Sequence, residues 1–266
     1  MELISGRGVA TSTNLTAATV STGDNFTVRD FQSPAYKAYM LAIWVKSQAA
    51  GYVQALSSNL HEGTIGIKLR HTSANPDLLT PHIMMQPLVP NDKITWKISG
   101  SGTGGDVDAF AALLLYEKTQ TDGNYIDADE LRARGTNFVS IENTLALDTT
   151  GDYSGSEALN SEQDILYPNK SYALVGGMVD SVCLAIGYKG IDFGNVRVGF
   201  PGHPTLKYLT SNFFVKLSEA IREGTGKPGK TIPVLRGINK ANILIDGLTD
   251  ENGVDVLVNT HLIELS

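Results

Sequence analysis

Cysteine and long apolar runs are nearly absent from this sequence. Its 266 residues include one cysteine, Cys183, which cannot form an internal disulfide or build a metal site from several cysteines. No apolar run approaches the roughly 18 to 20 residues that span a bilayer. The first seven residues lack a basic segment followed by an apolar one, so we expect no secretory signal. These absences exclude disulfide scaffolds and proteins anchored by an apolar helix.

Positive charge is also scarce. The chain has 21 Lys and Arg against 28 Asp and Glu, a formal charge of −7. Proteins that coat nucleic acid present a basic surface, so we expect no direct nucleic-acid binding. With 42% hydrophobic and 18% charged residues, the composition is that of a folded protein rather than a disordered one.

The residue patterns of common catalytic sites are missing as well. There is no H-x-H, H-E-x-x-H or G-x-S-x-G spacing, so neither a zinc enzyme nor a hydrolase triad is predicted. We interpret His203 as a surface residue in a rigid turn, His261 as edge-exposed or hydrogen-bonded, and Cys183 as buried. The remaining histidines, His61, His71 and His82, are scattered. The prediction is a protein that is not an enzyme, with no catalytic, cofactor-binding or metal-binding residues.

The acidity is concentrated in residues 118–168, where ten acids and three bases account for the whole charge imbalance. The acids alternate with Gly, Ser, Thr and Asn, which is typical of a solvated connection flanking a strand. The oxygen-rich run Asp127–Glu130 leaves a calcium site open as an alternative, although the twelve-residue calcium loop is absent.

The chain repeats itself. Lys93–Glu117 aligns without a gap on Lys240–Glu264 at a shift of 147 residues, with seven identical positions. Upstream, Tyr39–Val45 resembles Tyr172–Met178 at a shift of 133, and Gly63–Leu69 resembles Gly194–Phe200 at a shift of 131. The order of the blocks is the same in both halves, which indicates an internal duplication. About 16 extra residues in the second half fall around 208–224.

The local pattern is that of strands. Ile65, Ile67 and Leu69 alternate with small or charged residues, and similar runs recur every 8 to 12 residues between Gly, Asn, Asp and Pro. We predict an all-β chain of two tandem jelly-roll, or β-sandwich, domains with a short helix in the second. The first jelly roll is placed at 1–120, an acidic connection and the start of the second domain at 121–165, and the second jelly roll at 166–266.

One helix is predicted over Ser211–Gly224. Phe214, Leu217 and Ile221 recur at helical spacing, with Ser211 as the N-terminal cap and Gly224 after the end. In the first half, the corresponding residues Asn75–Thr80 predict at most a short turn.

Two glycine-rich motifs match phosphate-binding patterns but lie in the wrong context. Gly224–Thr231 fits the P-loop pattern, yet a helix precedes it and an apolar strand-like run follows, the reverse of the required order. Gly100–Gly105 fits G-x-G-x-x-G, but the repeat assigns the following residues, Val107–Tyr116, to a strand rather than a helix. We interpret both motifs as loops.

Two jelly-roll-like halves covering nearly the whole chain, without catalytic residues or disulfides, resemble the double jelly-roll major capsid proteins of tectiviruses, corticoviruses and adenoviruses. The resemblance lies in architecture, length and duplication rather than in a diagnostic motif. It implies a homotrimer whose six jelly rolls form a pseudo-hexagonal tile of a virion shell, made in the host cytoplasm. It also implies minor capsid proteins and an internal membrane as further partners.

Two alternatives stay open. A glycan- or receptor-binding jelly-roll module of a virion fibre or cell surface would need accessible aromatic platforms, whereas Trp44 and Trp96 fall in strand-like runs and are interpreted as core. A nucleotide-dependent enzyme would depend on the two glycine-rich motifs.

Overall fold

The computed structural model describes most of the chain. The described residues are 1–9, 16–17, 19–20, 26–30, 36–46, 51–60, 65–71, 82–99, 107–118, 124–149, 152–159, 165–181, 183–194, 196–204, 207–249 and 253–266. The chain forms two compact units, Glu2–Gln120 and Thr121–Ser266, with Met1 grouped with the second. No helix in the described ranges has the length and apolarity needed to cross a membrane.

The first unit is built from strands. They are β1 (Glu2–Val9), β2 (Thr16–Ala17), β3 (Thr19–Val20), β4 (Phe26–Thr27), β5 (Tyr36–Lys46), β6 (Gly51–Leu56), β7 (Ile67–His71), β8 (His82–Leu88), β9 (Lys93–Ser99) and β10 (Val107–Lys118). Residues Asn75–Thr80 and Gly100–Gly105 lie outside the described residues, but the segment after the second glycine motif is the strand β10, as the repeat predicted.

The strands of this unit pair in a nested order. β1 pairs with β10, β2 with β9, β5 with β8 and β6 with β7, all antiparallel. One sheet therefore has the order β3-β1-β10-β5-β8, and the other has β2-β9-β6-β7 with β4 also on β9. These eight strands pair first with last, second with second-to-last, and so on to the middle pair. This nested antiparallel pairing is that of a jelly roll.

The core of the first unit lies between its two sheets. Trp96 of β9 stacks on Phe110 of β10, with ring centroids 4.3 Å apart, so the two sheets meet through aromatic rings. Both tryptophans, Trp44 and Trp96, are fully buried, which agrees with their interpretation as core residues. The apolar face of β6 contributes Val53 and Ala55 to the same cluster.

The second unit has more helix. Its elements are β11 (Tyr125–Ile126), α1 (Ala128–Arg134), β12 (Gly135–Leu147), β13 (Tyr153–Ala158), β14 (Ser171–Val179), β15 (Cys183–Lys189), a 3₁₀ turn (Ile191–Phe193), β16 (Arg197–Gly202), α2 (Lys207–Thr210), α3 (Phe213–Thr225), β17 (Ile232–Arg236), a 3₁₀ turn (Gly237–Asn242), β18 (Leu244–Leu248) and β19 (Val254–Leu265). The segment 121–165, expected to be an acidic connection with the start of the second domain, contains α1 and the first two long strands.

The second unit repeats the nested pairing of the first. β12 pairs with β19, β13 with β18, β14 with β17 and β15 with β16. The sheets are ordered β11-β17-β14-β19-β12 and β13-β18-β15-β16. The predicted all-β fold of two tandem jelly rolls with a helix in the second is confirmed.

The duplicated segments occupy matching strands. β9–β10 and β18–β19 are the last two strands of their rolls, β5 and β14 are the third, and β7 and β16 are the fifth. The alignment fails at its first residue, because Lys93 begins a strand whereas Lys240 lies in a 3₁₀ turn. The turn shortens the strand that follows it.

The predicted helix is α3, but both predicted ends are wrong. It begins at Phe213 after Asn212, and neither Asn212 nor Ser211 caps it with a side chain. It ends at Gly226 rather than Gly224, because Gly226 has φ of 68° and donates its N–H to Arg222 O. Phe214, Leu217 and Ile221 are buried as expected, and α3 packs on β14 and β17.

A glycine allows the α2–α3 turn to lie against the sheet. Gly176 of β14 has φ of 151°, and a Cβ there would lie 2.1 Å from the carbonyl oxygen of Thr210. It follows a bulge in the β14–β19 register, between Leu174 and Gly176. The close approach of two backbones at this point therefore requires glycine.

We expect Gly176→Ala to lower the free energy of unfolding by about 3 kcal/mol or more, because the methyl group adds a backbone collision to an unfavourable φ. The matched control is Gly194→Ala, which has φ of 72° but nothing within 4 Å of the added Cβ. That variant should lose about 1 kcal/mol. Urea denaturation measures both, and equal losses would contradict the collision.

Candidate functional site

The P-loop-like motif connects α3 to β17. The loop therefore starts at the C-terminal end of a helix, where carbonyl groups and the helix dipole present negative charge. A phosphate site needs the opposite end, with free N–H groups. The predicted order of helix, loop and strand is confirmed.

The cleft beside this loop is lined by charged side chains of both signs. It has a volume of about 160 Å³, and its lining includes Asp127, Asp129, Glu219 and Arg222. Lys230, the lysine of the motif, lies 3.9 Å from Glu130 Oε2. The carboxylates would repel a phosphate chain, and Arg222 and Lys230 already face carboxylates.

Ion pairs in this region join α1 to α3. Asp129 accepts from Arg222 at 2.6 Å and from Arg132 at 2.7 Å, and Arg132 also binds Glu219. Hydrogen bonding to Arg222, with a smaller contribution from Arg132, holds the pKa of Asp129 below its ordinary value. Ala128 adds a backbone N–H to Ser218 Oγ at 3.0 Å.

The other acids of the Asp127–Glu130 run are also engaged. Asp127 caps α1 by accepting the N–H of Glu130 at 2.8 Å, and Glu130 pairs with Arg134 at 2.8 Å. In the described ranges, no group of three or more His, Cys, Asp or Glu is placed to hold a metal ion. The run thus has a structural use, which sequence reasoning missed because Arg222 is 93 residues from Asp129.

Two histidines belong to the interior of the second unit. His203 is 5% exposed, so its interpretation as a surface residue is wrong. Strand β16 continues through Gly202, which pairs with Cys183, and carries the chain inwards instead of turning at Pro201. Cys183 is buried, as predicted. His61 lies outside the described residues. His71 is the last residue of β7, and His82 is the first residue of β8.

His261 lies in β19, between β14 and β12, so its edge-exposed interpretation is wrong and the hydrogen-bonded one is correct. Its Nδ1 is 3.2 Å from the carbonyl oxygen of Ser211, and its Nε2 is 3.0 Å from Asn259 Oδ1. Burial lowers the pKa of His261, and the bond to Ser211 acts in the opposite direction. The imidazole ring of His261 links β19 to the α2–α3 turn.

Three loops at one end of the second roll are tied together. Asp192, 1% exposed, accepts the backbone N–H and Nε of Arg236 at 2.9 and 2.8 Å, and Asn239 Nδ2 at 2.9 Å. The Nζ of Lys240 donates to the carbonyl oxygen of Leu166 at 2.8 Å. These loops carry exposed apolar side chains, which we call the apolar tips: Tyr167 (64% exposed), Ile191 (56%) and Ile238 (71%).

The first roll presents a basic face on the outside of its β9-β6-β7 sheet. Lys97, Gln54 and Lys68 stand side by side across the three strands. Lys68 Nζ lies 4.3 Å from the ring centroid of Tyr52, and Arg70 is opposite Tyr52 in the register. No carboxylate among the described residues forms an ion pair with Lys68, Arg70 or Lys97. We call Tyr52, Lys68, Arg70 and Lys97 the basic face.

The second roll has an acidic end. Asp148 follows β12, Asp152 precedes β13, Asp180 follows β14 and Asp255 is near the start of β19; all four are exposed. The pairs Leu147↔Val254 and Val179↔Val258 place three of these strand ends together. Within the described ranges, none of these four aspartates forms an ion pair. We call Asp148, Asp152, Asp180 and Asp255 the acidic end.

Comparison with protein-family models and with curated proteins finds no match.

We predict no useful nucleotide affinity, because the motif starts at a helix C-terminus and faces carboxylates. Calorimetry with ATP or GTP plus magnesium should show no heat. Sub-millimolar binding that is lost in Lys230→Ala would contradict this prediction.

Acid should weaken the α1–α3 ion pairs. Since the pKa of Asp129 is lowered in the folded state, its stabilising effect is full above its ordinary value of 3.8 and is lost as pH falls through the lowered value. We expect Asp129→Asn to melt at a lower temperature at neutral pH, and to approach the wild type as pH falls below 3.8. Melting curves test this, with the exposed Glu157→Gln as the control that should match the wild type. A constant difference across that range would contradict the assignment.

Proposed function

We propose that this chain is a structural capsid protein whose homotrimers tile a virion shell. The observation that carries the proposal is the occurrence of two complete jelly rolls in one chain, each with the same nested strand order. Three copies of a duplicated domain supply six similar rolls, and a threefold ring of them has a nearly hexagonal outline that can tile a surface.

The use of polar groups also supports this proposal. Asp129 and Asp192 hold helices and loops in place, and Thr260 of β19 shares a 2.8 Å hydrogen bond with Tyr188 of β15 across the sandwich. Groups of this kind make a rigid building block. Under the proposal the protein is located in the virion and is made in the host cytoplasm. Its partners are other copies, minor capsid proteins and an internal membrane.

A second candidate is a glycan- or receptor-binding module. The apolar tips favour it, because they are exposed on loops that hydrogen bonds hold rigidly. Exposed aromatic and aliphatic side chains on a fixed scaffold are suited to ligand contact. The buried tryptophans Trp44 and Trp96 cannot serve as sugar platforms.

The oligomeric state separates the two candidates. We expect the purified protein to sediment as a trimer or as larger particles, and electron micrographs to show threefold or hexagonal tiles. A species that stays at 28.5 kDa across concentration and salt would contradict the capsid proposal. A monomer whose melting temperature rises with a glycan, an effect lost in Tyr167→Ala, would favour the binding module.

A further inference from the structure

The basic face and the acidic end are matched in charge but lie on different rolls of the chain. The basic face carries three cations, of which Lys68 and Arg70 lie near the Tyr52 ring, and the acidic end carries four carboxylates. Lys68 and Arg70 are exposed, as are all four aspartates. Among the described residues, no ion pair engages either surface, although Asp152 interacts electrostatically with Arg197.

We propose that the basic face of one copy docks against the acidic end of the second roll of a neighbouring copy. This inference rests on the proposed function and names the contact that assembles it. Complementary charge at an interface directs association and sets the register of the partners.

The balance of charge favours a second copy over other anionic partners. Three cations are few beside the roughly 6–10 phosphate contacts of a typical nucleic-acid-binding protein. Every copy, in contrast, brings one basic face and one acidic end in equal number. Three of the aspartates, Asp148, Asp152 and Asp255, have no lysine or arginine near them in sequence, from 148 to 159 or from 249 to 256.

The contact is heterologous, since two different surfaces meet. A heterologous contact leaves one surface of each kind open until a ring closes. A closed ring of three copies would satisfy all three basic faces and all three acidic ends. This is the closure that the proposed trimer requires.

Charge reversal on each surface, alone and together, tests the contact. The first variant is Lys68→Glu/Arg70→Glu/Lys97→Glu, and the second is Asp148→Lys/Asp152→Lys/Asp255→Lys. Asp180 is left unchanged because its Oδ1 accepts the N–H of Leu257 in another strand, whereas Asp152 Oδ1 accepts the N–H of the adjacent Tyr153. The third variant combines all six changes. Lys227→Glu and Glu223→Lys are the matched controls, exposed charges on neither surface.

Sedimentation velocity measures self-association, and circular dichroism verifies that each variant is folded. We expect either triple variant to weaken association about tenfold or more, and the combined variant to restore it. The controls should behave as the wild type. The wild type itself should dissociate more as salt rises from about 0.05 M to about 0.5 M.

Triple variants that associate as the wild type does, or wild-type association that salt leaves unchanged, would overturn the docking but not the capsid proposal. A loss that the folded combined variant does not repair would also overturn it. A wild type that remains monomeric would overturn both proposals.

Discussion

The pairing of the first strand with the last is the contact on which each half of this protein depends. β10 lies between β1 and β5, and β19 lies between β12 and β14, so the strand made last is an inner strand of its sheet. Within these joined ends, the inner strands pair in nested order. The nesting decides which loops meet at each end of the roll, and thereby where the apolar tips and the acidic end lie.

Polar side chains connect segments of the second roll that are distant in sequence. Arg197 of β16 binds Asp246 of β18 through Nε and Nη2, at 3.0 and 2.6 Å, and its guanidinium lies 3.6 Å from the ring centroid of Tyr153. The pair spans the β15 strand that separates β16 from β18. In the first roll the corresponding strands carry Lys68 and Lys97 without a carboxylate. The two halves share a fold but differ in the charge of this sheet.

The sequence predicted the fold more completely than the positions of the candidate site residues. Alternation such as Ile67-Lys68-Leu69-Arg70 reveals a strand with one buried face, and duplication reveals that the strands come in two sets. The C-terminal end of α3 was missed because Gly226, not Gly224, has the left-handed backbone. The glycine-rich sequence alone does not tell which of the two glycines ends the helix. The burial of His203 depends on a strand that extends past a proline, which a local pattern does not predict.

The charged surfaces could be predicted only in part. The composition of residues 118–168 showed that the segment is acidic, but in the structure some of its acids form ion pairs and others stay exposed. Asp129 and Glu130 are paired with arginines from α1 and α3, whereas Asp148 and Asp152 remain exposed. That division depends on contacts between residues about 90 positions apart, which no local pattern contains.

Nested pairing has a consequence for biosynthesis. A roll closes only when its last strand is available, so β1 waits for more than 100 residues before β10 leaves the ribosome. Topologies dominated by such distant pairs fold slowly, and their apolar faces and strand edges are exposed meanwhile. The first half can close while the second is still being made, because all its strands precede Gln120. Each chain therefore passes through two successive intervals of exposure, each about half as long as that of a single roll of 266 residues.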